Sequence, residues 1–260
     1  MLKILKYSFY DQVRSKWLIV YTLFFLTAGY MILYLGTDLS KAIASLMNLT
    51  LILTPLIGTI FGVTSYYNSR EFIELLLAQP LRRNHIFLGM YFGFSVSLSL
   101  AFFIGLGIPF LSYGLWYSHE VGNFVSLLLS GIILTFIFSG FAFLIALYNE
   151  NRLKGFGISI LFWLLMAFVY DGIFLISLLV FEAYPLEKFA IGISALNPID
   201  LSRILIMIKL DLAALMGYTG AVFKKFFGTS MGMIISYCAL AIWCTIPISW
   251  ILFKVRKKDF

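Results

Sequence analysis

Six apolar stretches of about 20 residues or more, at 17–36, 46–67, 85–110, 123–148, 155–180 and 231–253, decide what this chain can fold into. At 1.5 Å of rise per residue, each is long enough as a helix to cross about 30 Å of hydrocarbon. A segment inside hydrocarbon must satisfy its own backbone donors and acceptors, and continuous runs of this length do so as α-helices. The expectation is an all-α polytopic membrane protein with six transmembrane helices in one domain, 1–260. Composition agrees, with 62% hydrophobic residues, 12% charged residues and a mean hydropathy of +0.98.

Basic residues orient the spans, because short cytoplasmic segments collect Lys and Arg. With both termini inside, thirteen of the 19 Lys and Arg residues fall on the inner side. The net charge of +7 then reflects topology. It is not a nucleic-acid surface, since no water-exposed segment interleaves aromatic and basic residues. Leu2, Leu5, Phe9 and Val13 recur at helical spacing opposite Lys3, Lys6 and Arg14, which suggests a helix over 1–16 lying on the inner leaflet against membrane lipid. The following span is too long for a signal h-region and no small-x-small site ends it, so the N-terminus reads as uncleaved. Cys238 and Cys244 lie about 120° apart on one span, poor spacing for joint ligation, and read as buried apolar filler.

Residues 70–93, REFIELLLAQPLRRNHIFLGMYFG, place a short charged helix and a turn between the second and third spans. At about 100° per residue, Glu71, Glu74 and Ala78 share a narrow face, with Phe72, Ile73, Leu75, Leu76 and Leu77 on the wide opposite one. Pro80 disfavours helical geometry at Gln79. Arg82 and Arg83 mark a cytoplasmic interface, and Asn84 is the expected N-cap of the next span. The pairs Gly58 with Gly62 and Gly89 with Gly93 permit close helix approach, in a homodimer seam or inside the bundle. Pro109 and Pro247 are expected to kink or end their spans.

Asp171 lies about two thirds of the way through the fifth span, where an ionised carboxylate must face protein or water. The longest polar-containing stretch, 182–230, falls outside the membrane. Within it Asn197 reads as an N-cap, Pro198 as the first helical residue and Asp200 as a first-turn acid. Leu201, Ile204, Leu205, Ile208, Leu212 and Leu215 then form one packing stripe, with Arg203, Lys209 and Asp211 turned elsewhere toward water or a partner. YTGAVFKKFFGT suits a reentrant or interfacial turn. Met207, Met216, Met231 and Met233 gather toward this side, and thioethers suit Cu(I), although methionine commonly serves as filler.

No HExxH, GxSxG or GxxxxGK[ST] motif occurs, and the two histidines, His85 and His119, belong to opposite sides of the membrane. Two function classes follow from the residues. One is a transport or force-transmitting subunit pushed at its cytoplasmic corner. The other is a membrane-embedded enzyme pairing Asp171 with Glu182 or Glu120, and it lacks a nucleophile or metal cage. A passive channel fits less well, because the spans are apolar nearly all round.

EFIELLLAQPLRRNHIFLGMYFG resembles the element after the second span of ABC-2 type permeases, where E-LLL-x-Q-P, a basic residue and G-x-x-x-G recur. The outer segment LNPIDLSRILIMIKLDLAALMGYTGAVFKKFFGT resembles more narrowly the NosY-type permeases, which assist maturation of nitrous oxide reductase. The chain departs from many relatives at Met90, where they carry lysine. The resemblance implies a bacterial inner-membrane protein that pairs with a second copy of itself and binds two copies of a separate ATPase, on which ATP and Mg reside. It puts Glu71, Glu74, Gln79, Pro80 and Arg82 at the ATPase contact. It puts Asn197, Pro198, Asp200, Arg203, Lys209 and Asp211 in the segment supporting a periplasmic copper-handling partner. This chain itself is expected to bind no cofactor, copper being handled by the complex. A generic ABC-2 exporter of a small molecule or lipid is the alternative.

Overall fold

A computed structural model describes residues 1–36, 38–180, 187–212 and 217–257. Its helices are α1 (Leu2–Val13), α2 (Lys16–Leu35), α3 (Leu39–Asn68), α4 (Arg70–Leu77), α5 (Arg83–Ser112), α6 (Val121–Tyr148), α7 (Arg152–Leu164), α8 (Tyr170–Val180), α9 (Glu187–Ala195), α10 (Pro198–Lys209), α11 (Gly217–Phe227) and α12 (Ser230–Lys257). A π-helical turn, Leu165–Val169, joins α7 to α8 within one span. No strand occurs among the described residues, and six helices are long and apolar enough to cross a membrane. The protein is an all-α multi-pass membrane protein.

Local chemistry sets several starts. Ser15 accepts from Leu18 N at 3.2 Å, Asp38 from Ser40 N at 3.1 Å and Asn151 from Leu153 N at 2.9 Å, each occupying a donor the helix leaves open. Asp38 carries α3 seven residues ahead of the expected start of the second span. Asn84 is not a cap, since α5 begins at Arg83 and Asn84 lies in its first turn.

The centre of the bundle is α3, α5 and α6, whose spans are more than half buried, while the spans of α2, α7–α8 and α12 are less than one third buried and turn apolar sides outward. Both glycine pairs work inside the chain. A Cβ at Gly62 would stand 2.8 Å from that of Ala142, and one at Gly93 would stand 2.7 Å from the Leu5 carbonyl oxygen, so neither pair is free for a dimer seam. Gly93 and Gly89 therefore seat α1, which buries Ile4 and Ser8. Of the stripe expected to lie against membrane lipid, Leu2 and Val13 are exposed and Leu5 and Phe9 half-buried, while the neighbouring face of Ile4 and Ser8 packs on α5. Pro247 neither ends nor interrupts α12; its ring rests on Gly140 of α6. Pro109 lies near the end of α5 against Gly29 of α2. Cys238 is exposed on α12, not buried, while Cys244 is half-buried and points its thiol at the Ile133 carbonyl, 3.8 Å away.

Beyond the fifth span the chain is helical again. YTGAVFKKFFGT forms α11 where a turn was expected. Nine of the twelve residues of α10 are buried, so it is inserted among α3, α6 and α12 and does not lie over them on a single stripe. Leu215 and Met216 lie outside the described residues, as does Glu182.

Candidate functional site

Two polar constructions stand out, one at each end of the bundle. The first is the corner that α4 makes with the end of α3. Ile73 and Leu76 anchor α4 inward, and Phe72 stacks on Tyr7 of α1 with ring centroids 4.5 Å apart. Glu71, Glu74, Ala78, Gln79, Pro80 and Arg82 are exposed. Leu75, counted with the face expected against the bundle or the headgroups, is 66% exposed, because four residues of helix bring it back to about 40° from Glu71. The outward face is thus mixed, two acids with an isolated leucine.

Behind this face the corner is tied to the turn between α6 and α7. Tyr67 donates its hydroxyl hydrogen bond to the Asn149 carbonyl at 2.6 Å, and Arg70 Nη1 reaches the Glu150 carbonyl at 3.5 Å. Arg70 Nε also meets Glu74 Oε1 at 3.0 Å, an exposed pair that contributes orientation more than stability. Trp250 of α12 donates to the Tyr148 hydroxyl at 3.0 Å, and Lys254 lies 4.2 Å from that ring centroid. Sequence reasoning missed Tyr67 and the 149–151 turn, because a tyrosine near a membrane interface gives no sign of which loop it will bond.

The second construction joins span five to α10. Asn197 caps α10, its Oδ1 accepting from Ile199 N at 3.0 Å while Nδ2 donates to the Met166 carbonyl at 2.8 Å and to Asp200 Oδ2 at 3.0 Å. Met166 belongs to the π-helical turn, where the wider winding re-aims carbonyls. Arg203 Nη1 stands between two carboxylates, 2.6 Å from Asp171 Oδ2 and 3.2 Å from Asp200 Oδ1. Burial, and next the Asp171 carboxylate, push the Asp200 carboxyl up to about 8. The cluster thus holds one guanidinium between two carboxyl groups, of which burial pushes Asp200 toward its neutral form. Tyr170 fastens the same junction by donating to the Ile193 carbonyl at 2.6 Å, and Trp243 of α12 donates to the Ala195 carbonyl at 3.3 Å.

The six outer residues singled out from sequence therefore separate. Asn197, Pro198 and Asp200 are buried and Arg203 is drawn toward Asp171, so these four hold the fold together and present little surface. Lys209 is half-buried. Asp211 is exposed, with a left-handed φ of 56° that aspartate tolerates, and pairs with Lys224 at 2.7 Å. The lysine's hydrogen bond holds the Asp211 carboxyl below the usual range. Of the carboxylates expected beside Asp171, Glu182 lies outside the described residues and Glu120 accepts from Asn123 at 2.7 Å, while the carboxyl group across the Arg203 guanidinium from Asp171 is that of Asp200. Met231 is 75% exposed, and Met207 and Met233 are half-buried against the core. Among the described residues no three His, Cys, Asp or Glu side chains converge as metal ligands.

A bundle of this kind, with a clamped helical corner at one end and an internal polar clasp toward the other, is that of a multi-pass membrane protein. No protein-family model matches the chain. It is 28% identical over 211 residues to the probable ABC transporter permease protein NosY of Stutzerimonas stutzeri, covering 75% of this chain and 76% of that protein. It is 26% identical over 221 residues to the protein of the same name from Pseudomonas aeruginosa, covering 78% of this chain and 80% of that one. The chain resembles ABC transporter permeases of the NosY kind, a likeness that supports a membrane transport subunit and implies an ATPase partner.

Proposed function

We propose that this chain is the ABC-2 type permease half of a homodimeric transporter in the bacterial cytoplasmic membrane, with both termini inside. Two copies of a separate ATPase dock on the exposed face of α4 through Glu71, Glu74, Gln79, Pro80 and Arg82, with Leu75 as the apolar centre of the contact. ATP and Mg belong to that partner. The single observation that carries this reading is the corner itself: a short helix with an outward face of acids around one exposed leucine, anchored inward by Ile73 and Leu76. An exposed apolar residue rimmed by charges is how a small protein contact is commonly built. The movement reaches the outer side, where a periplasmic copper-handling protein serves maturation of the copper sites of nitrous oxide reductase. Copper in this reading is cargo of the complex, and Asp211, Lys209 and Lys224 offer the outer partner more surface than Asn197 or Asp200.

Affinity purification from native membranes in mild detergent, followed by mass spectrometry, tests this. The expected outcome is an ATPase and a periplasmic copper protein in matched amounts, with the ATPase lost when Glu71 and Glu74 are both changed to lysine. An ATPase alone would leave a generic exporter, and none at all would remove the corner helix as its contact. Intact reductase maturation after Met207, Met216, Met231 and Met233 are changed to leucine would remove methionine-borne copper passage.

A further inference from the structure

Beside the corner helix, a cleft of about 330 Å³ opens between the α1–α2 turn and the last turns of α3. Asp11, Arg14 and Trp17 line it from one side, and Phe61, Ser65 and Asn68 from the other. Its volume suits a polar headgroup and is too small for a whole lipid, being at the lower end of ligand-site sizes. Asp11 and Arg14 are three residues apart, yet among the described residues neither makes an ion pair. A cavity that holds one unpaired cation and one unpaired anion is complementary to a zwitterion. Trp17 and Phe61, with ring centroids 6.0 Å apart, supply an aromatic wall suited to an ammonium group and to the membrane interface.

A second observation says what the rest of the ligand is. Trp17, Val20, Phe24, Thr27 and Met31 follow one another at three- and four-residue steps up α2, and all are exposed. This track starts at the mouth of the cleft and runs along the span, while the opposite face of α2 packs on α5 through Phe25 and Gly29. A headgroup in the cleft thus leads its acyl chains onto an apolar path.

We propose that this cleft binds one zwitterionic phospholipid with a primary ammonium headgroup, its phosphate on Arg14, its ammonium between Asp11, Asn68 and the Trp17 ring, and its acyl chain along α2. Acceptors such as the Asp11 carboxylate and the Asn68 amide oxygen bind N–H donors, so a primary ammonium is preferred to a quaternary one, which has none. A purely anionic headgroup would meet the Asp11 carboxylate without compensation. Ser69, where α3 passes into α4, also lines the cleft, so the bound lipid braces the base of the corner helix. The site goes beyond the transporter reading and requires only the membrane.

The test is native mass spectrometry of the full chain in detergent with phosphatidylethanolamine, phosphatidylcholine and phosphatidylglycerol added in turn, and with glycerophosphoethanolamine and inorganic phosphate as soluble probes. Phosphatidylethanolamine is expected to bind most tightly. Arg14→Gln should weaken all three lipids about tenfold, the loss of one charge-assisted hydrogen bond. Asp11→Asn should lower phosphatidylethanolamine to the level of phosphatidylcholine and leave the latter unchanged, a split that general misfolding would not produce. Preference for phosphatidylglycerol, or equal binding by wild type and both variants, would overturn the site. Soluble headgroup or phosphate binding as tightly as the lipid would overturn the lipid as its occupant.

Discussion

Arg203 is the residue on which most at the far end depends, because its guanidinium lies between Asp171 and Asp200 and keeps them from facing each other uncompensated. Asp200 has a folded-state value near 8 against an unfolded value near 4, so the folded protein holds a proton that the unfolded chain releases across that interval. Its contribution to stability is complete below about pH 4 and is lost as pH rises through about 8. Melting temperature in detergent should accordingly fall from about pH 5 to about pH 9, and Asp200→Asn should flatten that slope by replacing the acid with a neutral group of the same shape. A slope unchanged by the substitution would mean that Asp200 is ionised throughout. Arg203→Met should cost about 2–4 kcal/mol at pH 7, since Asp171 and the carboxyl of Asp200 lose the guanidinium that stands between them. Adding Asp171→Asn to that variant should return part of the loss by removing the carboxylate left without its partner, and the melting temperature of the double variant is the check. Asp171→Asn removes one charge-assisted bond and should cost less, about 1–2 kcal/mol.

Elements were legible in sequence wherever their cause is local. Span existence follows from length and apolarity, and α10 begins at Asn197 and Pro198 because a cap and a fixed φ act within three residues. The surroundings of those elements were less legible. Nothing near Asp200 announces that Asn197 will also donate to Met166 of the π-helical turn or that Arg203 will reach Asp171 in α8, so a helix with four polar residues read as a surface helix when it is internal. The glycine pairs show the same boundary, since their spacing establishes close approach but not the partner. With the partners known, substitution becomes specific. Gly93→Val should displace α1, whose Leu5 carbonyl and Ser8 Cβ stand 2.7 and 2.8 Å from where the new Cβ would go. Overpacking of this kind costs about 1–3 kcal/mol. Limited proteolysis should then release the N-terminal dozen residues faster, whereas Gly157→Val, where a Cβ meets nothing within 4 Å, should leave the rate unchanged.

For the molecule as a whole, the proposed docking of an ATPase on α4 requires a route by which a push there becomes a movement of the bundle. α4 touches the centre through Ile73 and Leu76, but its tie to the neighbouring spans runs through Tyr67 and Arg70 to the 149–151 turn, from which α7 departs into the fifth span. That span contains the π-helical turn gripped by Asn197, so α4 and α10 are linked through one continuous and locally weakened helix. Tyr67→Phe removes a 2.6 Å hydrogen bond worth about 1 kcal/mol while leaving the ring and the exposed face of α4 in place. The expected result is an ATPase that still co-purifies in full amount, because its contact is untouched, together with reduced maturation of the reductase, because the movement is no longer delivered to the fifth span. Loss of the ATPase in this variant would place Tyr67 in the docking face instead, and unaffected maturation would move the transmission route to α5 and the helices it packs directly.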